Sequence, residues 1–274
     1  MANSVNTNFG ATVALQSLNK TNRELDAVQK RVSTGMRVSD AKDDGASFAV
    51  AQGLRADVKG NEAVNERLSV AKGLMAVTQE GLKGISDTVG EMRKVMVKLA
   101  DDSLSTDERT QYNADYTALA ADITKYIGQS SFGGINMLNA AGTTNVISDA
   151  SGGTIALTRV NLTTALTTLT GTTSATGANV RTNVINAGGA LDTFEKVVND
   201  QLAAVGASTR TIENQDNFIK VLGDTINDAI GSIVDADLAK ESAKLQALQI
   251  RQQLGTQTLS IANQSPSILL SLFQ

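Results

Sequence analysis

Residues 64–99 read VNERLSVAKGLMAVTQEGLKGISDTVGEMRKVMVKL, and their apolar side chains recur at alternating steps of four and three residues. A repeat of 3.5 residues places one line of side chains along a helix, where a second helix can cover it. The line is sustained for about five heptads, which is typical of coiled-coil packing rather than of a compact globule. It predicts a long helix with a seam made of Val64, Leu68, Ala71, Met75, Thr78, Leu82, Ile85, Val89, Met92, Met96 and Leu99.

This helix is expected to run from about residue 44 to residue 100, because no proline interrupts the stretch. The polar residues 101–103 (DDS) then break the apolar line. Ser105 followed three residues later by Glu108 forms a capping-box pattern, in which each side chain satisfies a backbone N–H of the other residue. The pattern predicts a third helix that ends near Ile127.

A shorter heptad line near the N-terminus predicts a first helix. Residues 33–35 (STG) mark its end, because glycine readily adopts the left-handed conformation that follows a helix. Asp40 is expected to cap the start of the next helix. The seam of the first helix consists of Ala14, Leu18, Thr21, Leu25, Val28 and Val32.

The heptad pattern returns near the C-terminus in two segments separated by residues 235–237 (DAD). The first segment contains Leu191, Phe194, Val198, Gln201, Val205, Ser208, Ile212, Gln215, Ile219, Leu222, Ile226, Ala229 and Ile233. The second contains Leu238, Leu245, Leu248, Leu259 and Ala262, with Glu241, Gln252 and Gly255 at weaker positions. Both segments predict coiled-coil helices with a left-handed seam.

The centre of the chain has a different composition. Residues 140–188 are rich in Thr, Gly, Ala and Ser, and 154–160 (TIALTRV) alternate as a strand does. The sequence therefore predicts a mainly α protein: a long antiparallel coiled-coil helical bundle with a small β-hairpin region at about 130–189.

The composition restricts the chemistry. The chain has no His and no Cys, so it has no imidazole base, no thiolate and no conventional zinc ligands. No catalytic, cofactor-binding or metal site is predicted. The charges are of both signs with a net charge of −4, so the sequence shows no basic patch of the kind that binds nucleic acid. Neither a cleavable leader nor an apolar stretch long enough to span a bilayer is recognised, so no membrane partner is expected.

The C-terminal residues 267–273 (SILLSLF) are unusually apolar for a chain end. Free termini normally fray in water, whereas an apolar terminus requires burial. Other subunits can supply that burial, and the polar positions Thr21, Glu241, Gln252 and Gly255 would leave the terminal helix pair marginal by itself. The alternative is a monomeric bundle in which the two terminal helices pair within the chain.

Several motifs, taken in order, resemble bacterial flagellin. Residues 5–8 (VNTN) are similar to the family's opening, and 30–38 (KRVSTGMRV) followed by 41–44 (AKDD) resemble its R-L-S-S-G-x-R-I and A-K-D-D signature. Residues 132–138 (FGGINML) resemble its F-N-G-x-x-L-L turn, and 262–266 (ANQSP) its A-N-Q-x-P ending. The resemblance covers about 1–140 and 190–274, and several ordered motifs are more specific than one short motif.

The resemblance implies a structural subunit that self-assembles into the extracellular flagellar filament and is not an enzyme. An inner coiled-coil core domain would comprise residues 1–40 and 234–274, and an outer helical domain residues 41–233. Polymerisation is expected to bury a set of apolar side chains between subunits. The set is Leu18, Leu25, Val32, Leu238, Leu245, Leu248, Leu259, Ile268, Leu269, Leu270, Leu272 and Phe273.

The resemblance also implies partners and modifications. The chain would leave the cell unfolded through the flagellar type III export apparatus, would polymerise with itself or with other flagellins, and would meet an export chaperone, cap proteins and hook-associated proteins. Related flagellins are often O-glycosylated on outward-facing Ser and Thr; the candidates here are Thr167, Thr168, Thr170, Thr172 and Thr173. Unmodified hairpin threonines explain the same composition equally well.

The alternative functions are a hook–filament junction protein and an enzyme carried on a flagellin-like frame. A hook–filament junction protein shares the terminal coiled-coil design, although the A-K-D-D and A-N-Q-x-P segments favour flagellin. A zinc-peptidase insert of the kind some flagellins carry requires an H-E-x-x-H motif, which a chain without His cannot contain.

Overall fold

The structure is a computed structural model that describes the backbone of residues 8–171 and 177–271, with the side chains of all these except residues 183 and 265–271. It divides into two compact units, one formed by residues within 1–58 and 225–274, the other by residues 59–224. Helices α2 and α6 each contribute residues to both units. The helices are α1 Phe9–Thr34, α2 Gly45–Leu99, α3 Thr106–Gln129, α4 Leu162–Gly171, α5 Gly177–Val180, α6 Ala190–Val234 and α7 Leu238–Ser271.

The long heptad seam of α2 is confirmed. All eleven predicted seam residues from Val64 to Leu99 are buried, and all except Thr78 belong to one hydrophobic core in the second unit. Residues of α6 that share this core include Phe194, Val198 and Ile219. The mainly α prediction is therefore correct, and side chains at heptad spacing supply most of the burial.

The capping box of α3 is also confirmed. The backbone N–H of Glu108 donates to Ser105 Oγ, and the Glu108 carboxylate accepts from the backbone N–H of Ser105 at 2.9 Å. Arg109 adds a second link at this corner, since its guanidinium donates to the carbonyls of Leu99 and Asp101, each at 2.8 Å. These bonds satisfy carbonyls that the C-terminus of α2 leaves without helical partners.

The strands form two small antiparallel hairpins in the second unit. The first pairs β1 Ser131–Phe132 with β2 Ile135–Asn136, and the second pairs β3 Asn139–Ile147 with β4 Thr154–Asn161. Gln201 and Gln215 of α6 donate to the backbone carbonyls of Thr158 and Ser148, at 3.2 and 2.7 Å. The second hairpin is thus attached to a helix by polar side chains from the heptad line.

The β region is shorter than the one predicted for 130–189. After Asn161 the chain continues as α4, then α5 and a π-helical turn at Arg181–Ile185. Leu162, Leu166 and Leu169 recur at helical spacing and are buried, so tertiary burial outweighs the β propensity of the intervening threonines.

Candidate assembly interface

The two ends of the chain pair as antiparallel helices in the first unit. Asn8 Nδ2 donates to the carbonyl of Ala262 at 2.6 Å, and Gln252 Nε2 donates to Asn22 Oδ1 at 2.9 Å. As residue numbers rise along α1, those of the partners in α7 fall. These contacts between polar side chains and backbone define one register, because slipping by one heptad would leave them unpaired.

The apolar seam of the pair is small. Leu25, Val28 and Leu248 form its buried cluster, and Val32 and Leu245 pack against it. Leu18 lies over Gly255, where a Cβ would approach Leu18 Cδ1 to 3.2 Å.

The predicted subunit contacts divide into three groups. Leu25 and Leu248 are buried within the chain, and Leu18, Val32, Leu245 and Leu259 are half-buried, so this seam joins two helices of one chain rather than facing outward. Leu238 is 49% exposed and is accessible to another subunit. The side chains of Ile268, Leu269 and Leu270, and the residues Leu272 and Phe273, lie outside the described part of the structure.

A charged residue occupies the seam in the first turn of α7. Glu241 is 9% exposed, and its Oε1 lies 3.6 Å from Arg31 Nη1. Its Oε2 is buried without a hydrogen-bond partner in the described residues. A buried carboxylate of this kind depends on its cation, because solvent does not compensate the charge.

The connections that enter and leave the terminal pair are hydrogen-bonded to each other. The N–H of Ala236 donates to the carbonyl of Gly35 at 2.9 Å, and the N–H of Arg37 donates to the carbonyl of Val234 at 2.7 Å. Gly35 has φ of 71° and its N–H donates to the carbonyl of Arg31, which ends α1 as the sequence predicts. These hydrogen bonds therefore hold the α1–α2 connection beside the α6–α7 connection.

The A-K-D-D segment builds a tight loop before α2. The Asp43 carboxylate accepts from the backbone N–H and the hydroxyl of Ser39, at 3.0 and 2.9 Å. These bonds, with Lys30 nearby, lower the pKa of Asp43 to about 2. The prediction that Asp40 caps α2 is wrong: Asp44 accepts from the N–H groups of Ala46 and Ser47, because α2 begins only at Gly45.

The terminal pair also exposes large apolar side chains that were not predicted as interface residues. On α1 they are Phe9 (79% exposed), Val13 and Leu15. On α7 they are Ile250 (58%), Leu254 (62%) and Ile261 (63%). Ala243, Ala247, Ile250, Leu254, Gln257 and Ile261 form a second line at steps of four and three, all exposed. The alternation of four and three residues in this line is visible in the sequence alone.

The central threonines lie on α4 rather than on a hairpin. Thr167 and Thr168 are exposed, and Thr170 is half-buried. The hydroxyls of Thr167 and Thr168 donate to the carbonyls of Thr163 and Thr164 one turn earlier. Thr172 and Thr173 lie outside the described residues.

Two features are absent from the described residues. Their helices include no segment with the length and apolarity needed to cross a membrane. Within the same residues, acidic side chains do not gather in threes or more at a place suited to a metal ion.

Comparison with known proteins decides the family. Residues 5–143 match the family model of the bacterial flagellin N-terminal helical region, and residues 189–273 match that of the C-terminal helical region. The chain belongs to the bacterial flagellin family. Flagellin FljM of Caulobacter vibrioides is 39% identical, covering 99% of each chain. The flagellin of Brucella melitensis biotype 1 is 32% identical, also covering 99% of each.

The crystal structure of Bacillus cereus flagellin is similar at a TM-score of 0.48 and 22% identity, over 56% of this chain and 88% of that one. Membership makes this flagellin a structural subunit of the flagellar filament, which self-polymerises outside the cell and is not an enzyme. Both matching family models describe flagellin regions, and nothing among the relatives favours a hook–filament junction protein.

Proposed function

We propose that this flagellin polymerises through the outward faces of its paired terminal helices. The observation that supports this is the second apolar line of α7. It is offset by two residues from the seam that faces α1, which places it about 200° around the helix, on the opposite face. α1 covers one face, and a line of exposed Ile250, Leu254 and Ile261 remains for neighbouring subunits.

The proposal assigns different tasks to the predicted interface residues. Leu25 and Leu248 hold α1 and α7 together within the subunit, which keeps the outer faces aligned. Leu238 and the apolar tail from Ile268 to Phe273 contribute to contacts between subunits. Such contacts join different surfaces of successive copies, and a heterologous contact that does not close produces a helical polymer.

The inner and outer domains are proposed with the boundaries expected from the family. Residues 1–40 and 234–274 would form the filament core, and residues 41–233 the outer domain. The hydrogen bonds between residues 35–37 and 234–236 support a boundary there, since they join the α1–α2 connection to the α6–α7 connection.

The route and the partners are also part of the proposal. The chain crosses the flagellar type III apparatus unfolded, accompanied by an export chaperone, and meets cap and hook-associated proteins at the growing end. The absence of Cys and the single proline, Pro266, suit a threaded chain, because disulfide loops obstruct passage and X-Pro isomers relax slowly. Retention of the chain inside cells that lack the export gate tests the route.

Polymerisation is tested by changing the exposed line of α7. A variant with Leu254→Asn and Ile261→Asn should fold but fail to form filaments in seeded elongation followed by electron microscopy. The matched control carries Phe218→Asn and Val221→Asn, which remove two equally exposed apolar side chains (59% and 64%) from α6. Equal loss of assembly in both variants would contradict a specific role for the terminal pair.

Deletion of residues 268–274 tests the tail separately. The truncated chain should lose polymerisation and keep the helicity of the unit formed by residues 59–224, measured by circular dichroism. Filaments of normal length from this truncation would exclude the tail from the interface.

Thr167 and Thr168 are proposed as O-glycosylation sites, because both are exposed on α4. Intact-mass measurement of filaments purified from the native organism tests this. A mass equal to that of the bare chain excludes the modification.

A further inference from the structure

Two consecutive cations near the end of α1 contact different parts of the chain. Lys30 Nζ donates to Asp40 Oδ2 at 2.7 Å and lies 3.4 Å from Asp43 Oδ2, and both carboxylates belong to the loop before α2. Arg31 Nη1 lies 3.6 Å from Glu241 Oε1 on α7. Neighbouring residues of a helix point about 100° apart, so they reach separate elements. Charged side chains therefore connect the end of α1 both to the loop and to α7.

The two loop carboxylates are also bonded to the backbone of the loop itself. Asp43 Oδ2 accepts from the N–H groups of Ser39 and Asp40, at 3.0 and 3.3 Å. Asp40 Oδ1 accepts from the N–H of Lys42 at 2.7 Å. These bonds fix the shape of the loop, whereas the contacts with Lys30 attach the loop to α1.

The loop leads directly into the cap of α2. Asp44 follows Asp43 in the chain and accepts from the N–H groups of Ala46 and Ser47, at 3.1 and 3.2 Å. It also accepts from the Ser47 hydroxyl at 2.6 Å. Because Asp43 and Asp44 are adjacent, the bonds that fix Asp43 also position the cap. A continuous series of contacts therefore runs from α1 through Lys30 to the first turn of α2.

Lys30 offsets the repulsion between the two loop carboxylates. Asp40 and Asp43 contact the same ammonium group, and like charges this close disfavour each other. The hydrogen bond from Lys30 is the largest cause of the lowered pKa of Asp40, and the charge of Asp43 acts in the opposite direction. The neighbouring cations lie elsewhere, since Arg37 donates to a backbone carbonyl of α6 and the Lys42 side chain is exposed.

The position of Lys30 depends on the pairing of α1 with α7. In the described residues this pair buries three apolar side chains, Leu25, Val28 and Leu248. Segments with little buried apolar surface open more readily than the rest of a fold, and a helix without tertiary packing is marginal in water. When α1 separates from α7, its end frays and carries Lys30 away from the loop. The carboxylates then lose the cation that offsets their repulsion.

We infer that Lys30 couples two local equilibria: it makes the order of the loop at residues 39–44 and of the first turn of α2 depend on whether α1 is paired with α7. Pairing of the terminal helices then orders all three elements together. An exposed ion pair contributes little to overall stability, so the effect of Lys30 lies in the coupling rather than in the total free energy of unfolding. The inference does not depend on which surface joins the subunits.

The test places the change on α7 and measures its effect on the loop. Leu248→Ala removes a buried side chain from the seam and weakens the pairing of the two helices. It is introduced into the unaltered chain, into Lys30→Met and into Lys42→Met, which removes an exposed lysine from the same loop. Isotope-labelled variant chains are mixed as a minority into filaments of unaltered chains, and hydrogen exchange of residues 39–47 is measured by mass spectrometry. Leu248→Val serves in the same way where the alanine chain does not enter filaments.

The inference predicts a different response in each background. Leu248→Ala should speed the exchange of residues 39–47 about threefold when Lys30 is present, and less than about 1.5-fold in Lys30→Met, because an exposed ion pair is worth a factor of this size. Lys42→Met should respond as the unaltered chain does. The same acceleration in the Lys30→Met background would overturn the inference. Loss of the response in Lys42→Met would also overturn it, because any lysine of the loop would then have the same effect.

Discussion

Arg31, in the last turn of α1, faces Glu241, in the first turn of α7, and its Nη1 lies 3.6 Å from Oε1 of that buried carboxylate. This ion pair links α1 to α7 next to the two connections that lead to the long helices α2 and α6. It combines an apolar seam with one charged contact, and a charged contact at a seam position specifies register at some cost in stability.

Removing the Arg31 guanidinium should destabilise the α1–α7 pair more than removing the negative charge of Glu241. Arg31→Met leaves Glu241 buried and uncompensated and should lower the free energy of unfolding of α1–α7 by about 2 kcal/mol. Glu241→Gln retains shape without charge and should cost less. Hydrogen exchange of residues 20–34 and 238–251 measures both changes, and equal protection in the two variants would contradict the argument.

Gly81 should not tolerate a methyl group. A Cβ at this position would lie 1.8 Å from Ser130 Oγ and 2.9 Å from Ser130 Cβ. Ser130 is buried and its hydroxyl donates to the carbonyl of Tyr126 at 2.6 Å, so it has little freedom to move. Gly81→Ala should destabilise by about 2 kcal/mol, despite the better helix propensity of alanine.

The matched control is Gly90→Ala, in the same helix, where the added Cβ would meet no atom of the described residues within 4 Å beyond its chain neighbours and the surrounding helix backbone. Alanine should stabilise that position by about 0.5–1 kcal/mol. Urea unfolding of both variants checks the difference in sign, and a gain in stability from Gly81→Ala would refute the contact.

Asp216 should depend on its two lysines. Its Oδ2 accepts from Lys220 at 2.8 Å and from Lys72 at 3.1 Å, and its side chain is 3% exposed. Replacing both lysines by methionine should cost about 2 kcal/mol of unfolding free energy, because a buried charge loses its partners. Asp216→Asn in that background should recover part of the loss; no recovery in urea unfolding would show that the charge is not the cause.

The A-K-D-D loop should weaken only in strong acid. The pKa of Asp43 is lowered to about 2, chiefly by the hydrogen bond from the Ser39 N–H. A carboxyl whose folded pKa is depressed stabilises the fold above its unfolded pKa of about 3.9, and this contribution disappears as pH falls towards 2. The stability difference between the unaltered chain and Asp43→Asn should therefore be constant above about pH 5 and shrink between pH 4 and pH 2. A midpoint near pH 4 in an NMR titration of Asp43 would contradict the depressed pKa.

Local patterns predicted the long helices well. The seam from Val64 to Leu99 is buried at every predicted position, and the Ser105–Glu108 capping box forms as expected. Both signals depend on neighbours within one or two turns. The sequence pattern favours Asp40 as the cap of α2, whereas in the structure Asp44 fulfils that role. The hydrogen bonds of the loop to Asp43 delay the start of α2.

The central threonines show where local propensity fails. Thr167 and Thr168 favour strands, yet they lie on α4 because Leu162, Leu166 and Leu169 bury one face of a helix against the core. A weak preference of the exposed residues is outweighed by the burial of three leucines.

The sequence by itself determined the helical periodicity, the breaks between helices and the family motifs, because each is written in residue types at fixed spacing. Only the tertiary structure decided which of the two apolar lines of α7 packs against α1. Two lines of similar character lie on opposite faces of that helix, and spacing cannot rank them. Contact with Leu25 and Val28 of α1 buries Leu248 and leaves Leu254 in solvent, so chain pairing separates the line that holds the subunit together from the line left for its neighbours.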